Sequence, residues 1–337
     1  MPLSKIQTGN LGRRNMVVNG AMQVAQKGTD IDDIATDGQK NMDMFVTRDY
    51  GGNGTYDFDQ STDVPSGKNF HNSLKLTVKS ASTNTGSYGY ALEHRIEGYR
   101  MRQLRLGRSD AQTITVSFYV KTSVAGTYNT GLRTTNGETS FVKEVTLSAN
   151  TWTLVSYTAP AQTASLSSLD EGTGLGLIVD ILGLGKQTSR TTSTLNAWHS
   201  GNFLFSSNQV AWMDNAGATV FVTGLQVEAG STATEFEHRS FGEELSLCQR
   251  YYFQKINGNG QSVGMGTYIS STQLRTYVDF PTTMRATPSI VTTNSTNHFN
   301  IESPSDSFDG NFIILQGNTN SVITVSYTHL TLPTTML

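Results

Sequence analysis

QTITVSFYVK, residues 112–121, alternates strictly: Ile114, Val116, Phe118 and Val120 fall on one side, and Thr113, Thr115, Ser117 and Tyr119 on the other. Successive side chains of an extended chain point to opposite faces, so this run predicts a strand with one dry and one wet face. The same period of two recurs outward from it at Met44–Tyr50, Ser73–Lys79, Phe141–Leu147, Trp152–Thr158 and Thr219–Val227. Leu175–Leu182 (LGLIVDIL) is more uniformly apolar, which predicts a strand lying deep between sheets. Asn136-Gly137 predicts a two-residue hairpin turn, because both central positions of that turn need positive φ. Strands roughly ten residues apart, with turn residues between them, predict a β-sandwich. Trp152 and Trp212, inside alternating runs, are expected in its core.

One helix is expected. Ser240 and Glu243 form a capping box, and Phe241, Leu245, Cys248 and Tyr252 share a helical face. Asn257-Gly258-Asn259-Gly260 is turn chemistry, after which alternation resumes at Val263–Ser270, Gln273–Phe280, Asn311–Leu315 and Ser321–Val325. Pro281 and Pro288 bracket a bend, since proline cannot donate to a central ladder. The chain therefore reads as all-β: an N-terminal arm (1–14), a large sandwich (15–239), a connecting helix (240–256) and a small C-terminal β domain (257–325).

Composition narrows the partners. Only 15% of the residues are charged and the net charge is −3, which argues against nucleic acid or an anionic membrane as partner. The surface must be rich in uncharged polar groups and glycine, of which there are 32, and such a surface suits sugars. A single cysteine, Cys248, excludes an intrachain disulfide framework and a cysteine-rich zinc site. The opening residues lack the pattern of a signal peptide, and no apolar run is long enough to span a bilayer. Synthesis in a cytoplasm followed by passive release, as for a virion freed by lysis, fits both facts.

Four stretches carry a resemblance. GRRNMVVNGAMQVAQKGT (Gly12–Thr29) looks like the opening of many bacteriophage tail-fibre proteins, and SFYVKTSVAGTYNTGL (Ser117–Leu132) resembles a core hairpin of jelly-roll carbohydrate-binding modules. TGLQVEAGSTATEFEHRSFGEELSLCQRYY (Thr223–Tyr252) resembles the segment closing the sandwich in those phage proteins, and FPTTMRATPSI (Phe280–Ile290) a motif of their C-terminal domain. The chain is thus similar to phage tail-fibre or receptor-binding proteins. That resemblance implies a jelly-roll sandwich on a tail fibre, commonly a homotrimer, that contacts host-surface glycans and other tail proteins. Two positions depart from the pattern: Ala25 replaces an aromatic, and Met42-Asp43-Met44-Phe45 replaces an aspartate-arginine-tryptophan-like stretch. Val325–Thr334 (VSYTHLTLPT) resembles a translated sequencing-library adapter, so residues 326–337 are expected to be a non-native tail.

Chemistry is sparse. The six histidines, His71, His94, His199, His238, His298 and His329, show no metal-site spacing, and neither a serine elbow nor a phosphate loop is evident. Cys248, on the apolar helix face, is expected to be an inert buried thiol. A glycosidase needs only two carboxylates, for which Asp180, Asp214 and Glu228 are candidates, although each also suits a structural acceptor. Asp30, Asp32 and Asp33, with Asp37, Asp43 or Glu228, are the candidate oxygen ligands of a structural calcium. No other cofactor is expected.

Sugar sites pair an exposed aromatic face with amide and guanidinium donors. Such groups concentrate in Ser87–Arg108, with Tyr88, Tyr90, Tyr99, Arg95, Arg100 and Arg102, and in Asn196–Asn215, with Trp198, His199, Asn202 and Asn208. Trp198, beside Asn196, His199 and Gly201, reads as a loop residue and the leading surface candidate. The function expected is non-catalytic attachment, gaining avidity from several copies. Its rivals are a structural virion subunit in tail, neck or capsid decoration, and a polysaccharide depolymerase.

Overall fold

The computed structural model describes residues 13–35, 37–38, 42–84, 88–134, 137–255, 264–270, 273–287, 299–302, 307–317 and 321–326. Two compact units divide the chain, residues 1–248 and 249–337. The first contains strands β1 (Asp30–Ile34), β2 (Phe45–Tyr50), β3 (Thr55–Ser61), β4 (Ser73–Ser80), β5 (Gly89–Glu97), β6 (Ile114–Thr122) and β7 (Gly126–Thr134). It continues with β8 (Thr139–Leu147), β9 (Thr153–Ala159), β10 (Leu175–Gly183), β11 (Trp198–Ser200) and β12 (Thr219–Ala229). Helix α1 (Gly98–Met101) follows β5, and α2 (Phe241–Gln249) follows β12.

These strands form two six-stranded antiparallel sheets, ordered β1-β3-β4-β12-β6-β9 and β11-β8-β7-β10-β5-β2. The pairing is nested. β7 pairs with β8, β6 with β9, β5 with β10 and β4 with β12. A long antiparallel hairpin folded over on itself produces this nesting, with successive pairs falling on alternate sheets, and that is a jelly roll. β1, β2, β3 and β11 extend its sheets at the edges.

The alternation of the central strand explains the core. Ile114, Val116, Phe118 and Val120 are all fully enclosed between the sheets, together with Val220, Val222, Leu177, Val179 and Trp212. Burying each of the larger side chains is worth about 1.5–3 kcal/mol. At the β7–β8 turn Gly137 has φ +66°, as the asparagine-glycine pair requires; Asn136 lies outside the described residues.

The segment Asn15–Val24 lies against β12. Met16 N–H donates to Val227 O, and Leu225 N–H to Gly20 O. Gly20 is dictated here, since a Cβ at that position would stand 2.2 Å from Leu225 O. Asn15 Oδ1 accepts from the N–H groups of Val17 and Val227, while the Asn19 side chain bonds Val24 and Asp43 O. Arg239 then closes the segment from outside, donating to the carbonyls of Asn15 and Val17.

Helix α2 begins as its capping box requires, with Glu243 N–H donating to Ser240 Oγ at 3.3 Å. Its buried face differs from the expected one. Glu244 and Cys248 face inward, whereas Phe241 is 57% exposed. The cause is Glu244, which is drawn inside by Asn19 N–H and the Arg239 guanidinium. Cys248 packs with Val18 and Val24, and burial pushes its thiol far above the ordinary range. The helix ends at Gln249 instead of continuing to 256.

In the second unit β13 (Gly266–Ser270), β14 (Gln273–Asp279), β15 (Phe299–Glu302), β16 (Ser307–Gly317) and β17 (Ser321–Ser326) form one antiparallel sheet, ordered β13-β14-β17-β16-β15. Phe253 and Phe280 meet edge to face, and Arg285 N–H donates to Arg250 O. Val263, Asn257–Gly260, Pro288 and the tail from 327 lie outside the described residues.

Candidate functional site

The outward face of the sheet β11-β8-β7-β10-β5-β2 is built by strand register. Asp180 stands opposite Glu93 on β5 and opposite Gly131 on β7, and Arg133 is opposite Ile178. Since alternate residues share a face, Glu93, Asp180 and Arg133 project together, away from the core. Arg133 donates to both Asp180 oxygens at 2.7 Å, to Glu93, and through Nη1 to Asn202 Oδ1 at 2.9 Å. The Tyr50 hydroxyl donates to Glu93 at 2.8 Å, and Arg95 pairs with the other Glu93 oxygen at 3.3 Å.

The electrostatics are uneven. Burial raises the Glu93 carboxyl, but the guanidiniums of Arg133 and Arg95 and the Tyr50 hydroxyl outweigh that and hold it below its usual value. Asp180 is pushed up because its enclosure outweighs Arg133. Two facing carboxylates driven apart in this way is the pattern of an acid–base pair. Here, however, each is about 1% exposed and committed to Arg133, so no substrate oxygen can approach either.

Above this base lies a half-buried layer. The Arg190 guanidinium sits 4.2 Å from the Tyr50 ring centroid, with Arg48 5.4 Å away. The segment around β11 returns over the face: His199 stacks on Phe203 at 5.0 Å, and Asn202 caps Arg133. Several polar atoms of this layer are buried without a hydrogen-bond partner among the described residues, namely Arg190 Nη1, Gln187 Oε1, Arg95 Nε and His199 Nε2. Buried polar groups are normally satisfied, so these four are exceptions, but they are enclosed beneath the layer and are not themselves open to a ligand.

The sequence-derived candidates divide. His199 and Asn202 belong to this face, but Trp198 does not. It is a strand residue opposite Phe141, turned toward the core edge, and its indole N–H donates to Pro160 O. Strand alternation puts Trp198 and His199 on opposite sides. Tyr88 and Tyr90 are 4% and 2% exposed; β5, which contains Tyr90, is a strand between β2 and β10. Their hydroxyls serve the fold, Tyr88 donating to Asp214 and Tyr90 to Gly54 O. Neither can present a ring to a ligand.

Tyr99, Arg100 and Arg102 lie beyond the end of β5. Tyr99 is 49% exposed and Arg102 stacks on it at 4.2 Å, while Arg100 donates to Met16 O. Trp152 is also displaced from expectation. It packs half-buried on Phe221, on the outer side of the other sheet, with its N–H on Asp63.

Asp30, Asp32 and Asp33 lie on β1 and do not converge. Asp30 hydrogen-bonds Asp59, which pushes the Asp30 carboxyl up, and Asp33 pairs with Lys79 at 3.1 Å. Among the described residues no group of three or more His, Cys, Asp or Glu is placed to hold a metal ion. Asp43 accepts from Gln26, and Glu228 from Gln226 and Thr234, so both are structural acceptors.

Tyr50, Arg133, Glu93, Arg190 and Phe203 had no signal in the sequence beyond their residue types. They are up to 153 positions apart and meet only through register.

No family model matches the chain, and no curated protein does. Among solved structures it is similar to the family 11 carbohydrate-binding module of the cellulosomal cellulase Lic26A-Cel5E of Clostridium thermocellum (10% identity, 60% of this chain and 98% of that one, TM-score 0.29). It is also similar to the CBM22-1 xylan-binding domain of Paenibacillus barcinonensis Xyn10C (13% identity, 62% and 100%, TM-score 0.27). A cyclase from Fischerella sp. TAU is a third such structure (9% identity, 66% and 100%, TM-score 0.34).

Proposed function

We propose that the first unit is a non-catalytic glycan-binding module, and that the protein is an attachment component of a phage tail fibre. One observation carries the binding reading: a half-buried layer of Tyr50, Arg190, His199 and Phe203 on a rigid base of Arg133, Glu93 and Asp180. Rigidly supported, partly exposed aromatic and guanidinium groups are what an oligosaccharide needs from a shallow site. Support for the tail fibre comes from the sequence resemblance of Gly12–Thr29 and Thr223–Tyr252. A homotrimer on that fibre would multiply weak single-site affinity.

Glycan-array binding of the purified protein, repeated with Phe203→Ala, tests the site. Binding that falls at least tenfold in the variant, with an unchanged melting curve, supports it; equal binding by both proteins places the ligand elsewhere. A depolymerase is the rival reading, which the enclosure of Glu93 and Asp180 on Arg133 argues against. Release of reducing ends from a bound polysaccharide would establish it and displace the non-catalytic reading.

A further inference from the structure

The ion pairs at the centre of this face leave one guanidinium over. Arg133 is spent on Asp180, Glu93 and Asn202, and Arg95 pairs with Glu93. Arg48 pairs with Asp37 at 2.8 Å. Asp37, Glu93 and Asp180 are thereby matched by Arg48, Arg95 and Arg133. Arg190 is left over. Among the described residues it has no carboxylate within ion-pairing distance: its charge acts on Asp180 only from farther off, and Asp180 is already held by Arg133.

Its position is fixed from several sides. The guanidinium lies over the Tyr50 ring, and the Arg190 main chain bonds both neighbouring strands of loop: its N–H donates to Gln187 O, and its carbonyl accepts from Leu204 and Phe205. Tyr50 in turn is held by Glu93, and its carbonyl by the Gln187 side chain. A guanidinium so ordered presents its planar fork with little entropy left to lose, and the group that matches the fork is a carboxylate or sulfate.

We infer that the glycan taken by this site is acidic, with a carboxylate- or sulfate-bearing sugar anchored by Arg190. This inference rests on the proposed glycan site and specifies its ligand class. Neutral hydroxyls would leave the Arg190 guanidinium half-buried without an ion-pair partner, whereas one anionic substituent supplies it.

The test uses the full chain and a panel of acidic oligosaccharides: oligogalacturonate, oligoalginate, a sialylated oligosaccharide and a sulfated one. Each is paired with a form whose acidic group has been reduced, esterified or removed. Isothermal titration of wild type and Arg190→Gln is run at low and high salt. Expected is at least tenfold tighter binding of one acidic member than of its neutral counterpart, with the preference abolished in the variant and weakened by salt. Equal affinity for acidic and neutral forms overturns the acidic specificity while leaving a glycan site. A preference that survives in Arg190→Gln overturns the assignment of that residue. No binding to any member, with an array equally blank, overturns the glycan reading itself.

Discussion

Arg239 donates to the main-chain carbonyls of Asn15 and Val17, at 2.5 and 2.8 Å, across 224 and 222 positions of chain. Its side chain is 3% exposed and also pairs with the buried Glu244, whose Oε1 accepts from Asn19 N–H. Two of the stretches that resemble phage fibre proteins, Gly12–Thr29 and Thr223–Tyr252, are therefore the two halves of one clasp. Removing the guanidinium strands Glu244 and two carbonyls. Arg239→Met is expected to cost about 3–5 kcal/mol in urea unfolding, and Arg239→Lys to recover only part of it, since an ammonium cannot fork between two acceptors.

His94 provides a pH dependence. Its Nε2 lies 3.0 Å from Val18 O, its ring meets Phe45 edge to face, and full burial lowers its pKa to about 4. The folded ring therefore stays neutral where the unfolded chain takes up a proton. Stability from this source is complete above about pH 6.5 and falls as pH drops toward 4, by about 3 kcal/mol in total. Unfolding free energy measured from pH 7.5 to 4 should fall less steeply in His94→Gln than in wild type. Parallel pH profiles would refute the assignment.

The Arg133 base makes a third prediction. Arg133→Met leaves Asp180 enclosed without its ion-pair partner and Glu93 with Arg95 alone, for an expected loss of about 3–5 kcal/mol. Adding Glu93→Leu and Asp180→Leu to that variant should restore much of the stability, because no buried charge remains. Chemical denaturation of the single and triple variants reads both effects.

Trp198 separates packing from recognition. Its ring lies 5.9 Å from Phe141 on the core side of β11, and it is half-buried. Trp198→Ala should destabilise by about 2 kcal/mol, below the roughly 3–5 of a fully buried aromatic, while glycan affinity stays unchanged once the protein is folded. A selective loss of binding at unchanged stability would return Trp198 to the site.

The strands of the sandwich interior were legible because burial on one face writes a period of two into the chain. Phe118 between Ser117 and Tyr119 is such a case, and so is the unbroken apolar run of β10. The capping box of α2 was legible for the same local reason. β5 was not picked out: GYALEHRIE alternates Tyr90, Leu92, His94 and Ile96 with Ala91, Glu93, Arg95 and Glu97, but its charged side is the buried ion network and not a wet face. A charged residue in a sequence reads as solvent-facing until its partner is found, and the partners of Glu93 are 40 and 43 positions away.

By itself, then, the sequence determined the all-β class, the β-sandwich and the helix start, because those depend on side-chain alternation and on contacts within a few residues. Tertiary structure alone decided which face carries the site. Register set Asp180 opposite Glu93, brought Arg133 between them, turned Trp198 inward and left Arg190 without a counter-charge. Electrostatic matching and burial are properties of neighbours in space, and for these residues the neighbours lie far along the chain.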